Sequence, residues 1–215
     1  MRCEQPTKPV IQTRKSQAKM TPARALELLN AGNERFVYGC MVHRDLREQV
    51  SATAGGQYPF AAILSCQDSR TSSEVLFDLN KGDAFSIRIA GNVVNEDVLG
   101  GLEFSTRLMG ARLIAVIGHT NCGAIKGAID SAELGNLTAL LGRISPAVVS
   151  ALNGRRRDSN DKKLVEAVAK ANVLLAMRQI RERSPIIRDM IEAERVGLVG
   201  GMYNLATGKV TFYKK

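Results

Sequence analysis

Three short apolar runs constrain this chain most: Phe60–Cys66 (FAAILSC), Ala84–Ala90 (AFSIRIA) and Leu113–Gly118 (LIAVIG). A strand with one wet face alternates apolar and polar residues. Continuous apolar runs of this length instead read as strands covered on both faces, which is the habit of a parallel sheet. Val196–Met202 and Val210–Tyr213 close the chain, separated by the hairpin-like turn Ala206-Thr207-Gly208. Helical patterns lie between the runs, at Ser73–Leu79, Val94–Met109, Cys122–Ile129, Leu164–Arg181 and Pro185–Glu194. Thr21-Pro22 and Ser184-Pro185 each pair an N-cap with a proline where a missing N–H costs nothing. The alternation predicts a single α/β domain. Its central sheet has four parallel strands plus an antiparallel edge strand, flanked by helices, with an N-terminal helical arm. Residues 20–215 form this domain, and residues 1–19 read as a flexible basic arm. No repeat or linker divides the chain.

Composition narrows the function. At 215 residues, 45% hydrophobic and 24% charged, the chain has a sizeable core and is neither a disordered segment nor a fibre. Its apolar runs fall far short of the roughly 18 residues a membrane span needs. The N-terminus has no apolar leader region, so the expected compartment is cytoplasmic, or periplasmic if a leader has been removed. The formal charge is +9. Residues 1–19 carry +4 of it, and Arg155-Arg156-Arg157 supplies three of the remaining five. No aromatic residue interleaves these basic runs, which argues against nucleic acid and leaves a surface that gathers small anions. Four cysteines do not make a disulfide scaffold, and Cys3 and Cys40 read as free thiols.

Two segments stand just past the carboxyl ends of predicted strands, where open parallel sheets bind their ligands. The second of them, Gly118-His119-Thr120-Asn121-Cys122-Gly123, holds an H-x-x-C pair at a helix start, where the helix dipole favours a thiolate. Alone that pair is weak evidence. Cys66, at the exit of another buried strand in Cys66-Gln67-Asp68-Ser69-Arg70, strengthens it. Two cysteines and a histidine, with no further Cys or His to complete the set, are the donor pattern of an open, catalytic zinc site. His43 sits in a polar stretch and reads as a surface residue. Alternate residues of an extended chain share a face, so Arg70 can hold Asp68 beside the metal by a charge-assisted pair. That carboxylate could orient a metal-bound nucleophile, or swing in as a fourth ligand and shut the site.

The pairing of C-x-D-x-R with H-x-x-C-G resembles the β-class carbonic anhydrases. The likeness extends to Gly82-Asp83-Ala84-Phe85, to Arg88-Ile89-Ala90-Gly91-Asn92-Val93, to Ala171-Asn172-Val173 and to the closing Gly201–Val210 stretch, roughly residues 20–213 in all. It implies one Zn2+ per chain on Cys66, His119 and Cys122, with Asp68 and Arg70 as the catalytic dyad. It also implies substrate contacts from Gln57, from the Gly123 backbone N–H, and from Phe85 and Phe104, partly across a subunit boundary. Three departures stand out. Gln67 replaces the commoner serine, Phe104 replaces a common tyrosine, and the chain has no tryptophan, which one allosteric bicarbonate site uses.

The implied reaction is reversible hydration of carbon dioxide to bicarbonate and a proton by zinc-bound hydroxide, in a homodimer or dimer of dimers. Two thiolates would offset the charge of the zinc, so activity is expected to rise toward alkaline pH. The alternatives are a zinc hydrolase acting on carbonyl sulfide or carbon disulfide, and a non-catalytic structural zinc module. The second of these would need a fourth protein ligand.

Overall fold

The computed structural model describes residues 10–213. Five strands form one sheet in the order β2-β1-β3-β4-β5. They are β1 (Ala61–Ser65), β2 (Ala84–Arg88), β3 (Leu113–His119), β4 (Gly197–Tyr203) and β5 (Val210–Phe212). The first four run parallel, and β5 pairs antiparallel with the end of β4. Every residue of β1 and β3 is buried, as expected of strands covered on both faces. The strands are the predicted ones, with ends shifted by one or two residues, but β2, read as covered on both faces, is an edge strand and stays partly exposed.

Among the described residues ten α-helices accompany the sheet: α1 (Arg14–Ala18), α2 (Pro22–Val37), α3 (Leu46–Thr53), α4 (Ser73–Leu76), α5 (Glu96–Glu103), α6 (Gly123–Ile129), α7 (Gly135–Gly142), α8 (Ser145–Leu152), α9 (Lys162–Arg183) and α10 (Pro185–Glu192). One sheet face packs on α5, α9 and α10 through Leu64, Val116, Leu102, Ala176 and Ile187. The other packs on α2 and α4 through Ile63, Ala115, Leu29 and Leu76. A third apolar cluster joins Cys66 and Cys122 to α6, α8 and α9. Close approach of α9 to β3 requires a glycine at 118. A Cβ there would lie 2.7 Å from Val173 and 2.9 Å from Met202.

Thr21 and Ser184 cap their helices with proline at the start, as read from sequence. The expected single helix over 94–109 differs. Asn95 caps α5, and the chain then widens into a π-turn over Phe104–Leu108. There Ser105 and Thr106 hydroxyls donate to the Gly101 and Leu102 carbonyls and compete with the regular ladder. Within the stretch read as a flexible arm, residues 14–18 form α1. Gln17 ties it down by donating from Nε2 to the carbonyls of Pro59 (2.7 Å) and Met109 (2.8 Å). Residues 1–9 lie outside the described set, Cys3 among them. Cys40 corrects the sequence reading: it is buried and disulfide-bonded, not a free thiol. Spacing along a chain carries no information on which sulfurs a fold brings together. Among the described residues no helix is long and apolar enough to cross a membrane.

Candidate metal centre

Register decides which side chains meet. Ser65 of β1 pairs with Ile117 of β3, so Cys66 leaves β1 level with the end of β3 and beside His119. The chain then turns at Asn121, whose φ of 53° is the left-handed conformation asparagine tolerates, and Cys122 becomes the N-cap of α6. Three soft donors thereby converge. The Cys66 and Cys122 sulfurs are 4.0 Å apart, and one atom from each of the three residues lies within 4.8 Å of the others. All three are buried.

The histidine is the most telling of the three. Its Nδ1 stands 2.9 Å from the Thr120 carbonyl, which can only accept, so Nδ1 carries the proton and Nε2 keeps a lone pair. That Nε2 is buried without a hydrogen-bond partner. An orphaned acceptor among two sulfurs is costly unless a cation completes it. A tetrahedral zinc with bonds near 2.3 Å to sulfur would need a sulfur–sulfur edge of about 3.8 Å. The donors therefore fit zinc by type and by spacing.

Electrostatics agree. The hydrogen bond from Cys122 is the main reason the Cys66 thiol sits well below its ordinary pKa; burial opposes it, and the backbone groups of Asp68 and Gly91 act in the same direction as Cys122. The Cys122 thiol is pushed up by that same hydrogen bond and by burial. One thiolate forms readily, and the second waits for a compensating cation.

Asp68 stands at the rim. Arg70 grips both of its carboxylate oxygens, with Nε to Oδ1 at 2.9 Å and Nη2 to Oδ2 at 2.8 Å, and the Arg70 backbone N–H adds a third bond. These bonds hold the Asp68 pKa below the usual carboxylate range despite partial burial. Its Oδ2 is 4.0 Å from His119 Nε2. Held this way, Asp68 is outside the three-donor group. Gly123 opens α6, and no atom lies within 4 Å of the place where its Cβ would be, so space is open at that helix start.

The remaining predicted residues lie elsewhere in the chain. Gln57 precedes β1, beside Gly82, separated from Cys66 by about 16 Å of extended strand. Phe85 is in register with Ala62 near the start of β1, and it packs edge-on against Phe104 with ring centroids 5.8 Å apart. The three therefore do not join the metal cluster of their own chain. His43 is exposed, as expected.

Sequence reasoning passed over the side chains that hold the cluster from behind. Arg88 donates from Nε to the Cys66 carbonyl (3.2 Å) and from Nη2 to the Asp68 carbonyl (2.6 Å). Thr71 Oγ1 donates to the same two carbonyls at 2.8 Å each. The available signal for Arg88 was a charged residue ending a strand level with Cys66.

The carbonic anhydrase family model matches residues 61–210. A carbonic anhydrase of Mycolicibacterium smegmatis is 33% identical over 196 residues, 88% of this chain and 92% of that one. Carbonic anhydrase 2 of Mycobacterium tuberculosis is 32% identical over 194 residues, 87% of this chain and 91% of that one. The solved structure of the β-carbonic anhydrase CcaA superposes with a TM-score of 0.71 at 26% identity, covering 89% of this chain and 94% of that one. Because these matches run through both strand-end segments and nearly the whole length of the bacterial relatives, the chain belongs to the β-class carbonic anhydrases, enzymes whose general reaction is the hydration of carbon dioxide.

Proposed function

We propose that this protein hydrates carbon dioxide reversibly with one zinc ion held by Cys66, His119 and Cys122, in the open state with Asp68 outside the ligand set. The observation that carries this reading is the unpartnered His119 Nε2 facing two sulfurs beside an Asp68 that Arg70 already grips. Zinc bound there would supply Lewis acidity that makes water a nucleophile near neutral pH.

The chain's own groups do the rest. Asp68, kept ionised and aimed by Arg70, accepts a hydrogen bond from the attacking water and turns its lone pair toward the substrate. The Gly123 N–H is one of the orphan donors of a helix start, with the positive end of the α6 dipole behind it, and it steadies the developing carboxylate oxygens. Arg88 and Thr71 fix the Cys66–Asp68 backbone, so that ligand and carboxylate keep their relative position.

One chain does not close the pocket. Phe104, packed on Phe85 of the edge strand β2, is 46% exposed, and Leu108 of the same π-turn is 74% exposed, apolar surface that a second copy would cover. Gln57, Phe85 and Phe104 would then reach carbon dioxide from the partner side, in a homodimer or dimer of dimers.

Stopped-flow hydration of carbon dioxide on metal-quantified protein between pH 7 and 9, beside Asp68→Ala, tests the reading. Two thiolates offset the zinc charge, so turnover should climb across that range, with about one zinc per chain. Full zinc without turnover at pH 9 would overturn it. Turnover of carbonyl sulfide or carbon disulfide in its place would keep the site and change the substrate.

A further inference from the structure

The long helix α9 buries nine residues, and eight of them are apolar; the exception is Asn172. It is 2% exposed. A buried amide on an apolar stripe costs free energy unless it is paired. Its Nδ2 donates at 2.6 Å to the carbonyl of Gly91, a backbone group in the loop that follows β2.

Gly91 in turn faces the metal cluster. Its N–H donates to Cys66 Sγ at 3.4 Å. It can do so because its φ of 64° and ψ of 19° turn the N–H and the C=O in the directions these two bonds need. No side chain fits there: a Cβ would lie 2.7 Å from Ile144 and 3.4 Å from Ala124 of α6. Gly91 is thus hemmed in by Ile144 and Ala124 and tied by Asn172 through its carbonyl, while its N–H donates to the sulfur.

We propose that Asn172 is a positioning residue of the metal centre, acting through Gly91 to hold a hydrogen-bond donor on the Cys66 thiolate. The inference rests on reading Cys66, His119 and Cys122 as the ligands. It adds a control on them. An N–H donated to a metal-bound thiolate fixes the sulfur at its corner and draws off part of its electron density, so less is given to the metal. Partners that stand behind a ligand in this way typically set metal affinity by about 10- to 100-fold.

The test uses full-length Asn172→Leu and Asn172→Val, which keep most of the side-chain volume and remove the donor. Ile180→Val, on the same helix but in the other core cluster, is the packing control. Zinc affinity is read by chelator competition, and the thiolate-to-metal charge-transfer band is read after cobalt(II) substitution. Both Asn172 variants should bind zinc about 10- to 100-fold more weakly, and their band should move to lower energy as the thiolate donates more strongly. Ile180→Val should lower the melting temperature and move neither readout. Affinity within twofold of the parent with an unmoved band would overturn the role of Asn172 while leaving the site intact. Failure of the parent protein to take up zinc would overturn both readings together. Should neither variant fold, cadmium-113 substitution of the parent decides. The Gly91 amide proton should couple to the metal through sulfur and the Asn172 side-chain amide protons should exchange slowly; loss of either signal overturns the proposal.

Discussion

Two buried clusters of ionisable groups sit at different ends of this sheet, and they are finished differently. On the connection between α4 and β2, Asp78 is ion-paired with both Arg35 and Arg44, and it also accepts from the Val42 N–H at 3.2 Å. Arg44 is then used up, donating to the Val42 carbonyl at 2.7 Å and to Asn80 Oδ1 at 2.9 Å. That cluster brings its own counter-charge and clamps the segment after α2 onto the sheet. At the carboxyl edge, Cys66, His119 and Cys122 converge as electron-pair donors, and His119 Nε2 has no hydrogen-bond partner. A buried charge group that closes on itself serves the fold. One that stays open is built for something from outside.

Removing the outside partner or its anchor should have the largest effect. Replacement His119→Ala should reduce zinc from about one per chain to near zero by atomic absorption and bring hydration to background. Dialysis of the parent against a strong chelator should do the same, with activity restored by added zinc. Full activity in zinc-free protein would break the contrast at once. Next comes Asp68→Ala. It should keep zinc and the melting temperature but cut kcat by about 10²- to 10⁴-fold, the range for a positioned carboxylate in proton-linked chemistry.

The self-closed cluster should behave in the opposite way. Asp78→Ala leaves Arg35 and Arg44 without their carboxylate, and breaking a buried pair costs about 3–5 kcal/mol. Chemical denaturation should register that loss, while zinc affinity of the folded fraction stays at the parent value. A matching fall in zinc affinity would show that the two clusters are coupled through β1 and β2, and the division drawn between them would fail.

The sequence made the open cluster far more legible than the closed one. Cys66, Asp68, Arg70, His119 and Cys122 sit in two short motifs at the ends of apolar runs, so strand logic alone puts them at one edge. Strands β1 and β3 were legible for the same reason, because burial on both faces writes itself as an unbroken apolar run; β2 shows such a run too, although it is a partly exposed edge strand. What acts through the backbone left no such trace. Arg88, Asn172 and Gln17 each work by donating to carbonyls, which every residue possesses, and nothing in a sequence marks which carbonyl is chosen. Helices α3 and α7 were missed because each buries a single residue, Gln49 and Leu141, and shows no apolar stripe. For α8 a partial signal existed in Ser145-Pro146, which resembles the starts of α2 and α10, although Ser145 is itself the first helical residue and Ile144 the N-cap. Gln57, Phe85 and Phe104 were expected to touch substrate partly across a subunit boundary, and a single chain holds them toward the other end of β1 and β2 from Cys66.

The smallest expected effect probes the one flaw in the closed cluster. Asp83 is 4% exposed, and its Oδ2 accepts from the Asn80 backbone (2.8 Å) and side chain (3.0 Å) while Oδ1 has no partner. Burial pushes its pKa from 3.8 to about 6, and the like charge of nearby Asp78 adds to the rise against the opposing pull of Arg44 and Asn80. A carboxyl whose pKa is raised on folding holds its proton more tightly in the folded state than in the unfolded one. Folding stability therefore falls as pH climbs from about 4 to about 6 and then levels, the reverse of a salt-bridged aspartate such as Asp68. Two pKa units correspond to about 3 kcal/mol at most. Asp83→Asn keeps an acceptor for Asn80 and removes the titration. Whatever constant offset the new amide introduces, the difference in unfolding free energy between variant and parent should shift toward the variant by about 2 kcal/mol between pH 4 and pH 7. A difference that stays flat across that range would mean that Asp83 is ionised throughout, and that the cluster around Asp78 is closed without exception.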